Sequence, residues 1–153
     1  MSSDLSEFFA LLNGRAIEFI VIGGVAYNFY APPRATKDVD IWVRPTAENA
    51  ARLIDAIRDF GFPTEALSID GLTTQEQVVI MGRPPNRIDV LTRPAGLDWA
   101  TAWERRVLTE YEGVPVGILS MSDLISAKRA AGGPGPRPWQ RPPRDSTSRW
   151  ATG

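Results

Sequence analysis

The seven residues Asp38-Val-Asp-Ile-Trp-Val-Arg44 place two carboxylates in an otherwise apolar, alternating run. Alternation of period two marks a β-strand, whose successive side chains leave on opposite faces. Asp38, Asp40 and Trp42 then share one face, and Val39, Ile41 and Val43 the other. The run predicts a half-buried strand with its valine face in a core. Two carboxylates roughly 7 Å apart on one strand face oppose each other's ionisation, and burial adds to the cost. A divalent cation between them removes that conflict. An acidic pair on a solvated strand face is the bland alternative that the same spacing allows.

The flanking sequence bounds where such a strand sits. Glu18-Phe-Ile-Val-Ile22 is a short β-branched run that ends in Gly23-Gly24 and leads into Val25-Ala-Tyr-Asn-Phe-Tyr30. This order predicts strand, glycine turn, buried helix. Bare backbone N–H groups at such a turn, ahead of a helix, can approach a phosphate. The pair also suits a tight turn that needs positive φ. Further on, Gln77-Val-Val-Ile-Met81 and Arg87-Ile-Asp-Val-Leu91 flank Gly82-Arg-Pro-Pro-Asn86 as a hairpin would, and Asp89 lies on the second alternating strand. Asp89 is placed either to complete an acidic site or merely to end a hairpin. Strands of this kind can also hold calcium, or no ion at all.

Helical spacing predicts helices over 4–13, with Ser3 or Asp4 as cap and Gly14 as stop, and over 47–60 between Thr46 and Gly61. A further helix is expected over 97–106, then a hairpin of 107–111 with 114–119 around Glu112-Gly113. Ser120 or Ser122 caps a last helix that runs to Ala131. Interleaved strands and helices give an α/β (α+β) fold, a mixed sheet flanked by helices. The chain has 153 residues, which suits one domain, here 1–131. From Gly132 the composition changes: five of the thirteen prolines and almost no aliphatic side chain fall in 132–153, so a disordered Pro/Gly/Arg-rich tail is expected.

Composition then narrows the chemistry. Cysteine and histidine are both absent, which removes thiol nucleophiles, disulfides, Cys/His zinc sites and imidazole bases. Acid–base or metal work falls to carboxylates, lysines and hydroxyls. The formal net charge is −1, from 17 basic against 18 acidic residues, and the tail holds four arginines against Asp145. The body is therefore acidic, which argues against binding nucleic acid by bulk charge. The N-terminus lacks a basic region followed by an apolar run, and the longest apolar stretch, 19–27, is about half a membrane span. A cytoplasmic protein with no membrane partner is the expectation.

A strand ending in Gly-Gly, a helix, a strand bearing Asp-x-Asp and a later strand with a single Asp together resemble the nucleotidyltransferase superfamily of polymerase-beta-like folds. Ile22-Gly23-Gly24 and Asp38-Val39-Asp40 match its motif, and the string VIGGVAYNFYAPPRATKDVDIWV resembles the small bacterial branch that includes AbiEii-type abortive-infection toxins. The resemblance covers about residues 15–131 and implies a nucleotidyltransferase-like fold. It implies transfer of a nucleoside monophosphate from an NTP to an RNA hydroxyl, tRNA for example, or to a protein hydroxyl. It further implies a toxin role beside an antitoxin. Asp38, Asp40 and Asp89 would bind Mg²⁺ or Mn²⁺, Asp89 also helping to deprotonate the acceptor, while Gly23 and Gly24 would contact the triphosphate.

The chain has only two lysines, Lys37 and Lys128. In related sequences a lysine at the position of Lys128 accompanies the nucleotide phosphates; a cation favourably placed near a helix C-terminus is the plainer account. Arg34, Thr36 and Lys37 are candidates for phosphate or RNA contact, or are simply solvated loop residues. Relatives continue after the Lys-Arg-Ala-Ala-Gly segment with Arg-Pro-x-Asp and another helix, which this chain lacks. A reading-frame shift and a native interaction tail both account for that departure. With it comes the alternative of a catalytically impaired module that binds a nucleotide or a partner.

Overall fold

The computed structural model describes residues 4–30, 38–83 and 87–130. Its elements, in chain order, are α1 (Asp4–Gly14), β1 (Phe19–Ile22), α2 (Gly23–Asn28), β2 (Asp38–Val43), α3 (Ala47–Asp59) and α4 (Ile69–Thr74). They continue with β3 (Val78–Met81), β4 (Arg87–Leu91), α5 (Trp99–Arg105), β5 (Val107–Tyr111), β6 (Val114–Ile118) and α6 (Met121–Ala130). The α/β expectation, a mixed sheet flanked by helices, is borne out. The tail, with Arg34, Thr36 and Lys37, lies outside the described residues.

Six strands form one sheet in the order β3-β4-β2-β1-β6-β5. At its centre β1 and β2 run antiparallel. Each is flanked by a parallel partner, β6 beside β1 and β4 beside β2. The outer strands close two hairpins, β3 on β4 and β5 on β6. In the second hairpin Glu112 (φ 48°) and Gly113 (φ 82°) both take left-handed conformations, the requirement of a two-residue type I′ turn.

One face of β2 is the expected core. Val43 and Ile41 pair in register with Phe19 and Val21, and Phe9 of α1 stacks on Phe19 with centroids 5.6 Å apart. Phe8 of α1 meets Phe60, just past α3, at 5.0 Å. The spacing of α3 is secured at its start by Thr46, whose hydroxyl accepts from Asn49 N. Gly61, at φ 104°, lets the chain leave the other end.

The second face departs from expectation. A half-buried β2 was predicted, yet after Asp38 every residue of the strand is buried. The reason is that α2 and α5 roof the acidic face. Gly23 of α2 packs on Asp40, and Trp99 of α5 meets Trp42 edge to face at 5.0 Å. Trp42 Nε1 donates to Thr92 O at 3.0 Å, so the indole is buried without an unmet N–H. The short α4 was not foreseen in the sequence; Ser68 caps it by accepting from Gly71 N at 2.9 Å, and buried Leu72 anchors it. Among the described residues no helix is long and apolar enough to cross a membrane.

Candidate active site

Parallel pairing of β2 with β4 builds the acidic cluster. The register places Asp38 opposite Arg87 and Asp40 opposite Asp89. Side chains at paired positions of adjacent strands leave on the same face. Three carboxylates and one guanidinium therefore occupy a two-by-two array on neighbouring strands. Two apolar-flanked aspartates far apart in sequence become lateral neighbours.

Asp40 is 1% exposed and Asp89 is 0% exposed, while Asp38 is half-buried at the strand end. Buried carboxylates need cations or hydrogen bonds. Arg87 supplies both for Asp89. Its Nε donates to Oδ1 at 2.8 Å and its Nη2 to Oδ2 at 3.0 Å, a bidentate clasp. The Arg87 pKa is raised above its ordinary value, first by that hydrogen bond to Asp89. The charges of Asp89, Asp38 and Asp40 add to the rise, and burial opposes it. All three acids thus act on one guanidinium.

The glycine turn abuts the same cluster. Gly23 has φ 70°, and a Cβ placed on it would lie 2.2 Å from Asp40 Oδ2. Glycine is required there twice, for its conformation and for the closeness of the carboxylate. Of the pair only Gly23 has positive φ. The two glycines themselves open α2, rather than forming a turn ahead of it. Tyr30, beyond that helix, fixes its exit by donating from its hydroxyl to Leu119 O at 2.8 Å.

The predicted residues are not all brought together. Asp38, Asp40 and Asp89 are brought together by the strand register and Gly23 abuts Asp40, while Gly24 follows it on α2. Lys128 is exposed in the last turn of α6, a helix that packs on α2, and takes no part in the carboxylate array. Sequence reading overlooked Arg87. The signal was present, since a residue two before Asp89 on a strand must share its face.

The donor set suits a hard divalent cation in type, being carboxylate oxygens on adjacent strands. Oδ1 of Asp38 and Oδ1 of Asp40 are buried and accept no hydrogen bond, although both carboxylates have other partners. As the side chains lie, however, no three acidic groups among the described residues are disposed to hold one ion. Arg87 takes both oxygens of Asp89. In donor type the residues suit a cation, Asp38 and Asp40 each offering a buried oxygen that accepts no hydrogen bond and Asp89 being held by Arg87.

No family model matches this chain, and no curated protein matches it in sequence. In three dimensions it is similar to the crystal structure of a "putative nucleotidyltransferase" from Thermotoga maritima. The TM-score is 0.51 at 14% identity, over 82% of this chain and 80% of that one. Likeness at this identity concerns the fold, which is nucleotidyltransferase-like.

Proposed function

We propose that this chain, on its nucleotidyltransferase-like fold, is a metal-dependent nucleotidyltransferase that moves a nucleoside monophosphate from an NTP to a hydroxyl. The observation that carries the reading is the register of β2 and β4, which sets Asp40 beside Asp89 with Gly23 against the Asp40 carboxylate. Asp38, Asp40 and Asp89 would hold Mg²⁺ or Mn²⁺, whose chemistry is to offset charge on phosphate oxygens during an in-line displacement. Gly23 and Gly24 would contact the triphosphate through their backbone N–H groups, the role that the sequence resemblance implies. With imidazole absent from the chain, Asp89 is the group suited to take the acceptor proton.

The finer assignment follows the sequence resemblance. It makes the acceptor an RNA such as tRNA, or a protein, and makes the chain an AbiEii-like toxin held in check by an antitoxin. The test is incubation of the full chain with α-labelled NTPs, Mg²⁺ or Mn²⁺, and either bulk tRNA or lysate protein. Metal-dependent labelling that falls at least about a hundredfold in Asp40→Asn supports the reading. Labelling indifferent to that substitution would sink it.

The Arg87 clasp favours a second reading, in which Asp89 is held by a guanidinium in place of metal and the chain is a nucleotide- or partner-binding module without turnover. Stabilisation by NTP with no labelled product identifies that case; sustained turnover excludes it.

A further inference from the structure

Arg87 occupies an unusual place for a cation beside a carboxylate set read as metal-binding. We propose that Arg87 is a resident counter-cation that competes with metal for Asp89, so that the clasp sets the affinity of the site for divalent ions. This inference rests on the reading of Asp38, Asp40 and Asp89 as metal ligands.

Three observations carry it. Asp89 is 0% exposed, so water cannot solvate its charge and a partner is obligatory. Both of its oxygens accept from the guanidinium, at 2.8 and 3.0 Å, so one lone pair of each is taken and an ion competes with the fork for the carboxylate. The Arg87 side chain keeps 19% of its surface exposed, which leaves it a way outward. Charge counting agrees. Three carboxylates against one guanidinium leave two negative charges, the complement of one divalent cation, so Arg87 need release an oxygen without leaving the cluster. Arginine suits this role better than lysine because its fork holds both oxygens at once.

The test is Mn²⁺ titration calorimetry on the full chain, comparing wild type with Arg87→Gln, Arg87→Lys, Asp89→Asn and the double variant Arg87→Gln/Asp89→Asn. Arg87→Gln should bind Mn²⁺ about tenfold tighter than wild type, as loss of one charge-assisted clasp implies. Arg87→Lys should fall between, since an ammonium cannot fork. In the Asp89→Asn background, Arg87→Gln should tighten binding far less, because only its field on Asp38 and Asp40 is then removed and there is no clasp to release. Melting temperature gives a second readout: Arg87→Gln should lose stability in EDTA and regain it in Mn²⁺.

Equal or weaker binding by Arg87→Gln overturns the inference and leaves the metal reading standing. Tightening that persists undiminished with Asp89→Asn also overturns it, since a general field effect then suffices. Absence of Mn²⁺ binding in every variant overturns both readings. Should Arg87→Gln fail to fold, Arg87→Lys against wild type decides alone.

Discussion

Gly23 shows how a single missing methyl can hold a site together. An L-residue at φ 70° carries a left-handed penalty of roughly 1–2 kcal/mol, and here a Cβ would also strike Asp40 Oδ2 at 2.2 Å. Gly23→Ala is therefore expected to destabilise by at least that penalty and to displace the Asp40 carboxylate. Thermal denaturation and NTP transfer should both fall. Gly24→Ala, with no positive φ to support, should cost less in denaturation. Tyr30 gives the residue scale a pH dependence. Burial raises its pKa above the ordinary 10.0, so the folded state favours the neutral phenol that donates to Leu119 O. The sign follows from linkage: this stability is fully present below about pH 10 and is lost as pH rises through the higher folded value. Tyr30→Phe should cost about 1 kcal/mol at neutral pH and flatten the alkaline limb in denaturant melts taken from pH 9 upward.

Elements were legible in the sequence to the degree that they carry their own caps and periods. Thr46 and the apolar spacing behind it marked α3, and Glu112-Gly113 marked the β5–β6 turn. Thr46→Ala should lower unfolding free energy by about 1 kcal/mol, measured by urea denaturation, since Asn49 N loses its acceptor. By contrast α4 has six residues with Gly71 and two threonines among them, too short and too weakly helical to show a period. Its existence depends on the Ser68 cap and on burial of Leu72, neither of which alternation reveals. The helix over 97–106 shortened to Trp99–Arg105 because Asp98 turns its side chain to cap Thr101 N. The strand β2 was recognised, but its second face was misjudged. Whether Trp42 meets solvent or Trp99 depends on a helix more than fifty residues later, and local pattern cannot report that.

At the scale of the whole molecule, pairing across long sequence intervals decides what the aspartates become. Asp-x-Asp and a lone Asp89 are each ordinary alone; the β2–β4 register makes them neighbours. That register was outside the reach of sequence reasoning, and the resemblance to a known motif order stood in for it. Arg87 is a different case: its face follows from its place two residues before Asp89, but the acids around it are set by the β2–β4 register. The order β3-β4-β2-β1-β6-β5 also assigns unequal fates to the strands. The acids stand on interior strands, whose amides are bonded on both sides, whereas β5 lies on the rim with Leu108 at 73% and Val107 at 42% exposure. Sub-global opening starts where protection is least. The rim can exchange its amide hydrogens, or stick to another chain through those two side chains, while the carboxylates keep their register. Loss of solubility and loss of the site are then separate events, beginning at opposite parts of the same sheet.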